Sequence, residues 1–438
     1  MDNKFRSSIL TWFVGGFLCL VAGYFLLHTI IVYGLFDGRH QMIVSFSKDI
    51  IRCAIVLIAF IVNPRQSLVY IRQTLWSWIF LIIMAILGIV VTWYRVTDIH
   101  TWITNTMVGL KYGWYVLVVV RSAGLVGHVI WSAYSDMNSE KKENIQKLWM
   151  SRLVTGAWIV LLGGCIVQGS KIIFPDLWMS LGFGPLDVYK PGVAPPLYYL
   201  TKHDGIIRYS GLFSGPNNFA FWLVSMTPIL RSWTYRTTIK QWFARVGLGV
   251  FGVINIGRLI LVSWLGEGIL NLLFVGNSGG SPKLLHSRQG TRKNILFWIG
   301  IGVVMVTVLS LVGWVTYIKR ESTYHHFFQG IQALARIWDN PWGYGLGSSG
   351  PGVHRNGSLL PENYYLQLLL DYGIGGLICF IVFWITRLRA ISMSIYHRWF
   401  LVGFGGLLIG GLFLHVFEDS MVNYLFFVPR GMMINIKE

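Results

Sequence analysis

The sequence predicts an all-α integral membrane protein: a polytopic bundle with two large extracytoplasmic loops. Three observations carry this. Of 438 residues, 54% are hydrophobic and only 12% charged, where a soluble globular chain carries roughly a quarter charged residues. The apolar runs are long, continuous and without period-two alternation, which excludes an outer-membrane barrel. At about 20 apolar residues per span, the runs give about 11–12 transmembrane helices. Lys and Arg, finally, recur in alternate loops, the pattern that orients helical membrane proteins. A cytosolic enzyme is excluded by the low charge, and disorder by an aromatic content of 15%.

The first run, Ile9 to Tyr33, follows Lys4 and Arg6. It is too long for a signal-peptide core and lacks an A-x-A site, so it reads as a retained first span. Further spans are expected at 43–62, 75–94, 107–134, 150–170, 217–230, 244–257, 259–275, 294–317, 364–386 and 399–416, with a short final segment at 420–436. Two regions follow: generic spans over 1–170, and a membrane domain over 171–438 that holds every motif described below.

The net charge of +18, from 36 Lys and Arg against 18 Asp and Glu, reads as orientation and not as a nucleic-acid footprint. With the N-terminus inside, the cytoplasmic loops hold Arg65 and Arg72, then Lys141, Lys142, Lys147 and Arg152, then Arg231, Arg236, Lys240 and Arg245. Lys283, Arg288, Arg292 and Lys293 come next, and Arg387, Arg389 and Arg398 last. The less basic loops at about 171–216 and 318–363 then face outward, and segments of that length carry function more often than they merely connect. Cys19, Cys53, Cys165 and Cys379 lie inside apolar runs without metal-ligand spacing and read as small core residues.

Four segments carry polar chemistry. In Arg208-Tyr-Ser-Gly-Leu-Phe-Ser-Gly-Pro-Asn-Asn218, Pro216 suits the first turn of a helix, with Asn217 or Asn218 beside its unsatisfied donors. Arg208 is either a two-point phosphate ligand or a snorkelling interfacial anchor. Asn255-Ile-Gly-Arg258 turns the chain between two apolar stretches, where Arg258 is again an anion ligand or an anchor. Pro341-Trp-Gly-Tyr-Gly-Leu-Gly-Ser-Ser-Gly350 contains a literal G-x-G-x-x-G but lacks the strand and helix that dinucleotide binding requires. It reads instead as a turn array that lets backbone approach a ligand. Pro361-Glu-Asn-Tyr-Tyr-Leu366 opens a span, with Glu362 either a capping acid or a general base at the membrane mouth.

In this order the four segments resemble the O-antigen ligase/polymerase family of bacterial membrane glycosyltransferases, through Arg208 to Asn217, Gly257-Arg258, Pro341 to Gly347 and Glu362-Asn-Tyr-Tyr-Leu366. The resemblance covers roughly residues 200–430. Glu362 stands where the family often has His, Gly257 where it often has Ser, and His326 with His325 where it often has Arg. The resemblance implies a GT-C type fold and transfer of a glycan from a polyprenyl-diphosphate carrier to a glycan or lipid acceptor. The reaction would occur at the outer face of the cytoplasmic membrane, with inversion at the anomeric carbon. It implies no cofactor, no metal and no nucleic-acid partner. Glu362, His354 and His326 are then the candidates for the base. Arg208, Arg258, Arg320 and His325 would bind the diphosphate, and Asn217, Asn363 and Tyr364 the acceptor or its loop. The alternative class is a transporter or flippase of lipid-linked sugars, expected to show broken spans and midplane ionisable groups; a relative of the shape–elongation–division polymerases is a third.

Overall fold

The computed structural model describes residues 24–36, 41–132, 134, 139–185, 194–200, 205–233, 238–255, 260–264, 266–267, 320–350, 359–389 and 395–415, with isolated positions 306, 310, 313, 316, 317, 423 and 426–428. Most of these residues are helical; the rest form turns, loops and one two-stranded ribbon, β1 (Tyr199–Leu200) against β2 (Ile207–Arg208). The helices are α1 (Tyr24–Leu35), α2 (Gln41–Val62), α3 (Pro64–Gln73), α4 (Leu75–Arg95), α5 (Ile99–Gly109), α6 (Tyr115–Ser132) and α7 (Ser139–Ile173). They continue as α8 (Pro175–Ser180), α9 (Pro216–Trp233), α10 (Thr238–Asn255), α11 (Arg320–Asp339), α12 (Tyr364–Arg389) and α13 (Ile395–Gly410).

Among the described residues, four helices are long and apolar enough to cross a membrane, at Leu75–Arg95, Tyr115–Ser132, Glu140–Ile173 and Tyr364–Thr386. A bent pair, Asp49–Val62 with Pro64–Gln73, makes five if counted as one span. The membrane class stands on these. The expected spans at 294–317 and 420–436, and most of Ile9–Tyr33, lie outside the described residues or hold only isolated described positions.

Three elements differ from the sequence reading. Residues 63–73, expected as a basic loop, form α3, turned 109° from α2. Pro64 cannot continue the preceding helix but suits the start of a new one, and Asn63 caps it by accepting from the Gln66 N–H at 3.2 Å. The loop at 318–363 contains α11, an amphipathic helix too polar to register as a span. The stretch expected as one span at 107–134 is interrupted by a π-helical turn at Leu110–Trp114 before α6 begins. α7, at 35 residues, is about 50 Å long and so outruns the ~30 Å hydrocarbon core.

The core sits around α6, which is buried on nearly every face from Val116 to Trp131. A helix apolar all round belongs inside a bundle. α12 lies along α4, and α13 along α9. Phe380, Phe383, Trp384, Phe404, Phe426 and Phe427 form one cluster of edge-on and tilted ring contacts where α12 and α13 meet the last described residues.

α12 is broken inside its span. Gly373 has φ 68° and ψ −171°, a backbone state that glycine alone adopts at little cost. The break removes the bond from the Ile374 N–H to the Leu370 carbonyl, and the glycine-rich loop replaces both halves of it. The Ile374 N–H donates to the Pro341 carbonyl at 3.0 Å, and the Tyr344 N–H donates to the Leu370 carbonyl at 2.7 Å. Backbone freed at membrane depth must be satisfied by protein, and here residues 341–350 do so.

Candidate functional site

The site begins at the start of α12. Asn363 caps the helix: its Oδ1 accepts from the Tyr365 and Leu366 N–H groups at 3.0 Å each, and its Nδ2 donates to the Leu412 carbonyl at 3.0 Å. With the cap supplied by Asn363, the Glu362 side chain turns elsewhere. Its Oε2 lies 2.8 Å from His326 Nδ1, both side chains one quarter exposed. His326 comes from α11, so the pair joins the two ends of the second large loop. Glu362 has φ 40°, the one non-glycine residue with positive φ among those described, at a cost of roughly 1–2 kcal/mol. Strain of this kind persists only where surrounding structure enforces it.

His415 completes this group. It is buried beyond the end of α13. Burial pushes its imidazole down to about 4, while the nearby Glu362 carboxylate pulls it upward and His326 pushes it down. Two imidazoles and a carboxylate therefore share one electrostatic environment.

A second cluster joins the first two sequence motifs. Arg208, on β2, donates from Nη2 to Asn217 Oδ1 at 3.2 Å and from Nε to the Asn255 carbonyl at 3.3 Å. Asn255, fully buried at the end of α10, donates from Nδ2 to the Tyr209 and Pro216 carbonyls at 2.8 Å each. An amide with two fixed carbonyl partners pins the Arg208 segment to the start of α9. Tyr209 is held in turn by the Leu161 carbonyl on α7 at 3.1 Å and packs edge-on against Phe219.

Both clusters occupy one end of the bundle. Gly403 and Gly406 of α13 press on Ser225 and Val224 of α9 in antiparallel order. The end of α13 therefore lies beside the start of α9, and the Tyr364 N–H at the start of α12 donates to the Gly411 carbonyl at 2.9 Å.

The structure sorts the expected residues unevenly. Glu362 and His326 come together, as do Arg208 and Asn217. Asn363 is occupied as the helix cap. Tyr364 is fully buried, its hydroxyl reaching the Gly113 carbonyl at 3.4 Å, which places it in packing and not at a surface that meets an acceptor. His325 is exposed and pairs with Gln329 one turn along α11 at 2.8 Å. Arg320 is exposed at the start of α11. Arg258 and His354 lie outside the described residues.

The glycine-rich segment packs its backbone closely on helices: a Cβ on Gly345 would meet Thr92, on Gly347 Asn105, on Gly343 Gly373 and on Gly350 Gln367, each within 3.0 Å. The Leu346 N–H donates to Thr92 Oγ1 at 2.7 Å, fastening the loop to α4.

Sequence reasoning missed three polar residues at or near these motifs. His415 was hidden by reading 399–416 as one span, although a His closing an apolar run was the available signal. Lys171 is buried at the end of α7 with Nζ 3.9 Å from the Phe183 ring centre and 5.5 Å from that of Trp178. It sits one turn beyond Gln168, which accepts from Ser210 at 3.4 Å. Asp371, enclosed in α12, is held by Ser348 and Ser349 of the glycine-rich loop. No protein-family model, curated protein or solved structure matches the chain.

Proposed function

We propose that this protein is a membrane glycosyltransferase that moves a glycan from a polyprenyl-diphosphate carrier to a hydroxyl of a saccharide or other acceptor. The reaction takes place at the outer face of the cytoplasmic membrane, the side that the Lys and Arg alternation assigns to the two large loops. The observation that carries the reading is the His326–Glu362 contact at 2.8 Å, a base and its charge partner at the mouth of a span.

The chemistry follows from the groups present. An acceptor hydroxyl attacks the anomeric carbon while its proton passes to the pair. His326 takes it, and the Glu362 carboxylate stabilises the imidazolium that forms, as an acid residue does for a catalytic histidine elsewhere. The anomeric C–O bond breaks with its electrons going to the diphosphate, and in-line attack inverts the carbon. Arg208 meets the leaving charge from the adjoining cluster, with a planar guanidinium suited to phosphate oxygens; Arg258 is expected to join it.

The setting supports a lipid-borne donor. α11 exposes Tyr324, Phe327, Ile331, Leu334 and Trp338, an aromatic and aliphatic face of the kind found on helices lying in the headgroup region. His326, on that helix, then works at the depth where a carrier diphosphate sits.

A second reading, transport of a lipid-linked sugar, draws on the break at Gly373 and the 109° turn between α2 and α3, since discontinuous helices recur in transporters. Reconstitution separates the two. Purified protein in vesicles, given a labelled polyprenyl-diphosphate oligosaccharide and an acceptor saccharide, should form a longer glycan and free carrier diphosphate. Movement of intact donor across the bilayer without bond cleavage would overturn the transferase reading.

A further inference from the structure

Asp371 is 1% exposed inside a helix apolar enough to cross a membrane. A carboxylate in such a place is costly unless its charge is met, and intramembrane acids mark binding sites more often than not. One of its oxygens is well supplied: Oδ1 accepts from Ser348 Oγ at 2.9 Å, from the Ser349 N–H at 3.1 Å and from Ser349 Oγ at 3.0 Å. The other, Oδ2, is buried with no partner among the described residues. One turn earlier on the same face, where residues four apart are neighbours, Gln367 is 2% exposed and its Oε1 is likewise without a partner. Its amide is pressed against the same loop, since a Cβ on Gly350 would fall 2.5 Å from Nε2.

Two bare, buried oxygens thus share a helix face, bordered by two serine hydroxyls, at the point where α12 breaks. The first half of the helix ends there, and a helix C-terminus adds partial negative charge. The two unanswered atoms and the two hydroxyls that border them are all oxygen, the donor set of a hard cation. Among the described residues no group of three or more His, Cys, Asp or Glu side chains assembles, so a divalent ion lacks its usual carboxylates. One negative charge with neutral oxygens suits a single positive charge, as at the broken helices of ion-coupled membrane proteins.

We propose that Asp371 Oδ2 and Gln367 Oε1, with the Ser348 and Ser349 hydroxyl oxygens, form a binding site for a dehydrated alkali-metal cation at the break in α12. The bound ion neutralises Asp371 and holds the glycine-rich loop against both halves of the helix. The site stands whether the protein transfers or transports its substrate.

The test is thermal unfolding of the purified full-length protein in detergent, titrated with LiCl, NaCl or KCl against choline chloride at constant ionic strength above neutral pH. At least one alkali ion should raise the midpoint saturably, while choline does not. Gln367→Met keeps the carboxylate and should raise the half-saturating concentration about tenfold; Asp371→Asn should abolish the effect. Should Asp371→Asn fail to fold, the wild-type titration with Gln367→Met and Ser348→Ala decides the matter. The proposal is overturned if no alkali ion acts saturably on the wild type, in which case Asp371 carries a proton shared with Gln367. It is equally overturned if the ion effect survives unchanged in both carboxylate-preserving variants.

Discussion

His326 and Glu362 meet at 2.8 Å from separate elements, the one on α11 and the other immediately before the cap of α12. The contact closes the second large loop on itself and draws in His415, whose imidazole feels both partners. Its geometry assigns the capping work to Asn363 and leaves Glu362 with a side chain that serves no helix end. Pairing, more than either residue alone, carries the proton chemistry proposed for this end of the bundle.

Removing the pair should cost catalysis and spare the fold. Glu362→Gln and His326→Asn are each expected to slow single-turnover transfer from a lipid-linked donor by about 10²–10⁴-fold, the usual worth of a positioned base. The double variant should be little worse than the weaker single, because the two act as a unit. Additive losses in the double variant would show that they act separately.

Glu362→Gly should stabilise the protein while abolishing transfer. The φ of 40° is free for glycine, so the thermal midpoint in detergent should rise by the equivalent of roughly 1 kcal/mol. A lowered midpoint would mean that the His326 contact outweighs the strain.

Arg208→Lys keeps the charge but loses the planar fork that reaches both Asn217 and Asn255. Donor KM should rise about tenfold with smaller change in kcat. Equal KM for Arg208→Lys and wild type would reduce Arg208 to a structural anchor.

Gly373→Ala should be among the most damaging single-methyl changes in the chain. It meets both a φ of 68° and the Trp342 carbonyl, and strain of this sort costs about 1–3 kcal/mol. Leu369→Ala, on the same helix, serves as the comparison; similar melting curves for the two would count against the break as a fixed feature.

His415 makes stability depend on pH in a defined direction. Its folded value, about 4, lies below the ordinary 6.5, so the neutral form is favoured in the fold and the unfolded chain binds the proton more readily. The stabilisation is complete above about pH 6.5 and falls away as the pH drops toward 4, by about 3 kcal/mol in all. His415→Gln should flatten the melting midpoint across that interval; an unchanged slope would place the titration on another group.

Apolar helices were legible because a span announces itself in any window of 20 or so residues. Pro216 and Asn255 also marked their helix ends, since proline and short turns act locally. What composition hid was helical structure of middling polarity. α3 buries only Ser67 and Tyr70, and α11 turns its apolar side outward, so neither looks like a span or a soluble core helix. The partner of Glu362 was equally unreadable. Loop residues such as His325 and His326 are equivalent in sequence, and only the docking of α11 decides that one faces Glu362 while the other faces Gln329. The glycine pattern was legible only in part for a related reason: it announces close approach of backbone, but nothing local names the helices that approach.

The hydrogen bond from Leu346 to Thr92 spans 254 residues of chain, and that distance sets an order of assembly. Synthesis delivers α4 early, the glycine-rich segment much later and α12 last. The segment therefore emerges before the carbonyl of Leu370 that it must satisfy exists. α12, once inserted, holds an unanswered backbone carbonyl in lipid until the segment docks. A chain halted before α12 would consequently leave α4 waiting and the whole second half unclamped, an exposed intermediate for membrane quality control to recognise.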